Sequence, residues 1–179
     1  VRECNVTIDP GQNIGVAFWV SGERFKRLTL PVQTCVLTSK ASDWDSRCDD
    51  VLSSLQNLPQ ALDCVVYNTW IEFPQFMETS GGRASARRGD LVKLVYMCGR
   101  IHQMAHAAWR SEVHMAKVSE WKGQMPKAAV NNRILRVYAE KYGSKSQARR
   151  ELESVGASPD QSHDWDAIGL GLWAKGVFR

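Results

Sequence analysis

The order of the apolar runs constrains this chain most, because their character changes partway along. Cys4–Asp9 reads as a short strand, Pro10-Gly11-Gln12-Asn13 as a turn, and Ile14–Val20 as a second strand that is almost continuously apolar. Ser21-Gly22-Glu23 turns again, and Arg24–Thr38 carries a third strand broken at Pro31. Three strands joined by tight turns predict an antiparallel meander. Cys64–Ile71 then reads as a strand buried on both faces, the habit of a parallel sheet covered by helices. A meander followed by β/α alternation predicts an α/β fold, with one mixed sheet flanked by helices.

The helices follow from periodicity and end signals. Asp43 to Leu58 places Val51, Leu52, Leu55 and Leu58 on one face, with Ser42 or Asp43 as cap. Leu91 to Trp109 carries the stripe Leu91, Leu94, Val95, Cys98, Ile101 and Ala105. Glu112–Val118 reads as a short strand. Pro126 opens a helix that Gly143 stops. Lys145–Val155 is helical, and the loop Ser158–Ser162 caps a final helix, His163–Lys175. Met77–Gly89 is polar and Gly- and Arg-rich, and reads as a mobile connection. The 179 residues contain no repeat and fit one domain, residues 1–179.

The net charge of +4 favours nucleic acid only weakly, but its distribution says more. Arg83, Arg87 and Arg88 cluster in one stretch, and Lys141, Lys145, Arg149 and Arg150 in another. The five cysteines are odd in number and lack C-x-x-C spacing, so buried reduced thiols are expected rather than a zinc or disulfide framework. No apolar run approaches the ~18 residues of a membrane helix, and no leader is visible. The expected setting is the cytoplasm of a bacterium or virus-infected cell, or an organelle.

Three acids stand where chemistry can be built. Asp9 ends a hydrophobic strand beside a Pro-Gly turn. Glu72 leaves the apolar run Cys64–Ile71. His163 and Asp166 are three apart and share one face of the last helix, whose following residues are small or apolar. Asp164 points away from that face. Each feature alone has an ordinary explanation: a turn Asp, a solvated Glu, a capped helix start. Together they form an ordered set of carboxylates suited to two hard divalent ions, Mg²⁺ above all, and hence to phosphodiester hydrolysis.

This order resembles the RuvC-type Holliday junction resolvases, a branch of the ribonuclease H-like nucleases. Ile8-Asp9-Pro10-Gly11-x-x-x-Gly15 is similar to that family's opening motif. Val66–Glu72 is similar to its strand ending in a catalytic Glu, and His163-x-x-Asp166-Ala167 to its final acidic motif. Val118–Gly123 with Pro126–Val130 resembles its basic segment ahead of a helix.

The resemblance implies a ribonuclease H-like sheet and a metal-dependent endonuclease acting on branched DNA, most simply a four-way junction, as a homodimer. It implies Asp9, Glu72, His163 and Asp166 as catalytic metal ligands. Lys122 would stand near the scissile phosphate, and Lys127, Arg83, Arg87 and Arg88 would contact DNA. An aromatic near Glu72, Phe73 or Phe76, would wedge into the junction. Mn²⁺ is expected to substitute for Mg²⁺, because His163 is a poor ligand for the harder ion. In the long helix, Met97, Met104 and Trp109 extend the apolar surface and mark a candidate dimer face. Two other classes compete. One is an actin-like sugar kinase or ATPase, which needs a second domain. The other is a non-catalytic nucleic-acid-binding module of the same fold.

Overall fold

The computed structural model describes residues 1–11, 13–22, 28–75, 89–160 and 163–178. Among the described residues, five strands form one sheet: β1 (Arg2–Asp9), β2 (Ile14–Val20), β3 (Gln33–Leu37), β4 (Cys64–Phe73) and β5 (Glu112–Lys117), in the order β3-β2-β1-β4-β5. β1, β2 and β3 pair antiparallel, while β4 lies parallel to β1 and β5 parallel to β4. The expected switch from meander to parallel pairing is therefore present. β3 starts only at Gln33, beyond Pro31, and not at the expected Arg24. Proline has no N–H to give a ladder, and residues 23–27 lie outside the described residues.

Helix α1 (Trp44–Ala61) starts where the Asp43 carboxylate accepts the Ser46 N–H at 2.8 Å. With α2 (Asp90–Met104) it covers one face of the sheet, packing Val51, Leu55, Cys98 and Ile101 on Val6, Ile8, Val16 and Phe18. A wider π-type turn, Ala105–Trp109, continues α2. The short α3 (Val118–Trp121) leads to α4 (Lys127–Tyr142), α5 (Lys145–Ser154) and α6 (His163–Ala174). These pack over the opposite face on Ala17, Trp19 and Ala116. β2 is buried on both faces, which its nearly unbroken apolar sequence requires.

Two expectations need correction. β4 is not buried on both faces throughout: Val65 and Tyr67 are 47% and 49% exposed. The pairing with β1 shifts register between Cys4 and Asn5, and burial becomes continuous only towards Ile71 and Glu72. Nor do Met97, Met104 and Trp109 form an outer face of α2. Met97 is buried, and the other two pack into the same core. The Trp109 indole donates to the Gln56 carbonyl of α1 at 3.1 Å. The exposed apolar residues of α2 are instead Val92, Val95 and Tyr96. All five cysteines are free, and all but the half-buried Cys35 are buried. Among the described residues, no helix is long and apolar enough to cross a membrane.

Candidate active site

Parallel pairing explains why distant acids meet. β1 and β4 run the same way, with Ile8 opposite Ile71, so Asp9 and Glu72 leave the sheet side by side at one rim. β5 ends at the same rim, with Ala116 opposite Glu72, and feeds α3 across it. α6 starts there too, because its first residues lie against Gly15, the β2 partner of Asp9.

Close packing holds α6 in place. The Thr7 hydroxyl donates to the Ala167 carbonyl at 2.7 Å and accepts from the Trp19 indole at 3.0 Å. Gly169 and Gly171 lie directly against the rings of Trp121 and Trp19. The small residues after Asp166 are thus explained by contact. Asp164 faces the interior. It is fully buried, and its carboxylate accepts from the backbone N–H and hydroxyl of Ser158.

His163 Nδ1 lies 2.8 Å from Asp9 Oδ2. Lys122 Nζ lies 3.0 Å from Glu72 Oε2 and 3.4 Å from Asp166 Oδ1, and Lys127 Nζ lies 3.5 Å from Asp166 Oδ2. The Trp121 indole donates to Glu72 Oε2 at 3.1 Å. Asp9, Glu72 and Asp166 are each less than a tenth exposed. Six side chains from distant parts of the sequence therefore share one centre: Asp9, Glu72, His163, Asp166, Lys122 and Lys127. Phe73 is half-buried against the core beneath α1 and α2. Phe76, Arg83, Arg87 and Arg88 lie outside the described residues.

Burial raises the Asp9 carboxyl above its ordinary range, against the hydrogen bond from His163. Burial and then the nearby Asp9 charge push Glu72 up to about 7. The hydrogen bond to Asp9 raises His163. Burial works to lower Lys122, but the charges of Glu72, Asp166 and Asp9 outweigh it and hold the ammonium protonated. The cause throughout is crowded negative charge in a poorly hydrated place. Among the described residues, no three His, Cys, Asp or Glu side chains converge on one metal-sized point. The Lys122 ammonium stands between Glu72 and Asp166 instead.

Trp121 is the functional neighbour that sequence reasoning passed over. Its position beside Lys122 gave no sign that its indole would reach a carboxylate 49 residues earlier.

No sequence-family model and no curated relative matches the chain. Solved structures do. Thermus thermophilus RuvC in complex with a Holliday junction substrate aligns over 98% of this chain and 97% of its own, with a TM-score of 0.57 and 13% identity. A further Thermus thermophilus RuvC structure covers 97% of each chain, with a TM-score of 0.58 and 17% identity. The yeast mitochondrial Holliday junction resolvase Ydc2 aligns over 99% of this chain and 77% of its own, with a TM-score of 0.59 and 15% identity. The fold is therefore the ribonuclease H-like fold of these resolvases, over nearly the whole chain.

Proposed function

We propose that this protein is a divalent-metal-dependent endonuclease that cuts branched DNA, most specifically four-way junctions, in the manner of the resolvases whose fold it shares. The observation that carries the reading is the meeting of Asp9, Glu72, His163 and Asp166 at one sheet rim, with Lys122 among them. A centre that gathers three buried carboxylates needs compensating positive charge. Lys122 and Lys127 supply part of it. Carboxylates are donors that Mg²⁺ and Mn²⁺ accept, and an imidazole suits Mn²⁺ better than the harder Mg²⁺, so the donor chemistry fits divalent ions.

Asp9, Glu72, His163 and Asp166 would hold two divalent ions. When bound, these supply an activated water and stabilise charge on the leaving oxygen of the phosphodiester. The protein's own groups prepare that chemistry. Asp9 fixes the His163 ring, and the Trp121 indole fixes one Glu72 oxygen. Lys122 offers a permanent positive charge for the phosphate oxygens. Lys127, more exposed, serves the DNA backbone, as do Arg83, Arg87 and Arg88 of the connection before α2.

A four-way junction is two-fold symmetric, so paired cuts call for two sites related by a two-fold axis. The exposed Val92, Val95 and Tyr96 on α2 suit the interface of such a homodimer. Sedimentation should show a dimer at micromolar concentration that Val92→Glu dissociates. A monomer both free and on DNA contradicts the dimer.

The test of function is cleavage of labelled four-way, three-way, flap and linear DNA and of RNA–DNA hybrid, with Mg²⁺, with Mn²⁺ and with neither. The proposal expects metal-dependent paired cuts in the four-way junction. Preferred cutting of the hybrid, or no cutting of any branched DNA, overturns it.

A further inference from the structure

The basic cluster around Lys145 and Arg149 has no part in the acidic centre. Residues 127–154, which form α4, α5 and the turn between them, hold seven Lys or Arg and three Glu. Seven less three leaves +4, the net charge of the whole chain. Most of these cations have local partners. Lys127 pairs with Asp166, Arg133 stands over the Phe178 ring, Lys141 donates to the Leu28 carbonyl, and Arg150 donates to Gln147. Among the described residues, Arg136 and Arg149 pair with no carboxylate. Glu140 follows Arg136 by four residues, and Glu153 follows Arg149 by four. In both cases the base precedes the acid, which is the weaker order for a helical ion pair.

The two arginines share one surface. Asn132 and Arg136 are four apart on α4, and Lys145 and Arg149 four apart on α5, so each pair lies on one helix face. Lys145 Nζ donates to Asn132 Oδ1 at 3.4 Å, which sets the two faces side by side. All four residues are exposed, while Ala148 and Leu152 fasten α5 to the core. Guanidinium forks without carboxylate partners suit a polyanion, and their planar geometry matches phosphate oxygens.

The course of α4 shows which phosphates they meet. Its first residue, Lys127, touches Asp166, and the helix leads away from the acids. Its 16 residues span about 24 Å, the length of about seven base steps of duplex. A duplex that leaves the acidic centre alongside α4 therefore brings phosphates about three to seven steps from the cut onto this surface. We infer that the outer surface of α4 and α5 is a second DNA contact, which grips the phosphates of one duplex arm several base steps from the cut.

The placement rests on the nuclease reading above, but the test needs no cleavage. Binding of four-way junctions is measured in EDTA at about 50 and about 200 mM salt. The proteins are wild type, Arg136→Gln/Arg149→Gln, and Arg2→Gln/Arg110→Gln. The last removes the same charge from exposed positions at the opposite rim, where β1 and β5 begin. Each phosphate contact contributes about 0.9 to the salt slope, so wild type should lose about 12-fold more affinity across that range than the Arg136→Gln/Arg149→Gln protein. A second set of junctions carries uncharged methylphosphonate linkages about three to seven steps from the branch. These should weaken wild type and leave the Arg136→Gln/Arg149→Gln protein unaffected. Both variants change exposed side chains and should unfold with wild type in urea. A wild-type salt slope in Arg136→Gln/Arg149→Gln, an equal change in Arg2→Gln/Arg110→Gln, or equal weakening of wild type and Arg136→Gln/Arg149→Gln by the methylphosphonates overturns the inference. Absence of metal-dependent cutting of any branched DNA defeats the nuclease reading instead, and the binding result still judges the surface.

Discussion

Gly15→Ala is the smallest change that should disable the site without touching a polar group. A Cβ at residue 15 would lie 2.0 Å from the His163 carbonyl oxygen, 2.2 Å from its carbon and 2.6 Å from the Asp164 nitrogen. All three atoms are backbone, so no rotamer change relieves the clash. Moving from 2.0 Å to the 3.4 Å of ordinary contact requires β2 and the start of α6 to part by about 1.4 Å. Overpacking of this kind costs ~1–3 kcal/mol, and a backbone clash belongs at the upper end. The same shift carries His163 and Asp166 away from Asp9 and Glu72. A misplacement of about 1 Å at reacting groups costs on the order of 10²-fold in rate. Urea unfolding at constant slope measures the first effect, and single-turnover cleavage of a four-way junction measures the second. Gly99→Ala is the control, since a Cβ there meets nothing within 4 Å and Ala improves an exposed helix position. If Gly15→Ala unfolds within about 0.5 kcal/mol of wild type, the size of a neutral surface change, the close approach of β2 and α6 is refuted.

Three further outcomes follow from the same centre. Asp9, Glu72 and His163 hold protons more tightly folded than unfolded, so their stabilisation is present at low pH. For Glu72 it is lost as pH rises from 4.5 through about 7. In EDTA, urea midpoints should therefore fall across that window, and Glu72→Gln should flatten the fall; an unchanged slope in the variant contradicts the assignment. Mn²⁺ should support cleavage at least as well as Mg²⁺. His163→Asp should shift the preference towards Mg²⁺ and His163→Ala should lose most of the rate, so a fully active His163→Ala enzyme removes His163 from the site. Trp121→Phe removes the indole donor to Glu72 and should cost about 10- to 100-fold in metal affinity or rate, as loss of a ligand's supporting hydrogen bond does; wild-type metal titration by the variant would deny Trp121 that role.

Much of this centre is legible from local patterns, and the reasons are physical. Asp9 and Glu72 announce themselves because each ends an apolar strand, and parallel strands deliver their ends to one rim. The i, i+3 spacing of His163 and Asp166 shows their common face without knowledge of the fold. What depends on how elements dock is not legible. The apolar Met97, Met104 and Trp109 looked like surplus surface, but α1 lies along α2 and absorbs them. The apolar look of Val65 and Tyr67 suggested a fully covered strand, although only the end of β4 near Glu72 is covered on both sides. Trp121 reaches Glu72 only because α3 folds back across the end of β5. Gly15 was visible as part of a motif, while its cause, contact with the backbone of α6, is purely tertiary.

The central claim is that three buried carboxylates serve chemistry rather than binding. Its most direct measurement compares wild type with Asp9→Asn, Glu72→Gln and Asp166→Asn for both cleavage and binding of a labelled four-way junction in Mg²⁺. Binding rests on Lys and Arg contacts to phosphates, so it should persist in every variant, persist without metal, and weaken with salt. Cleavage should be abolished in each of the three. Near-normal cutting by the Asp9→Asn protein would contradict the claim.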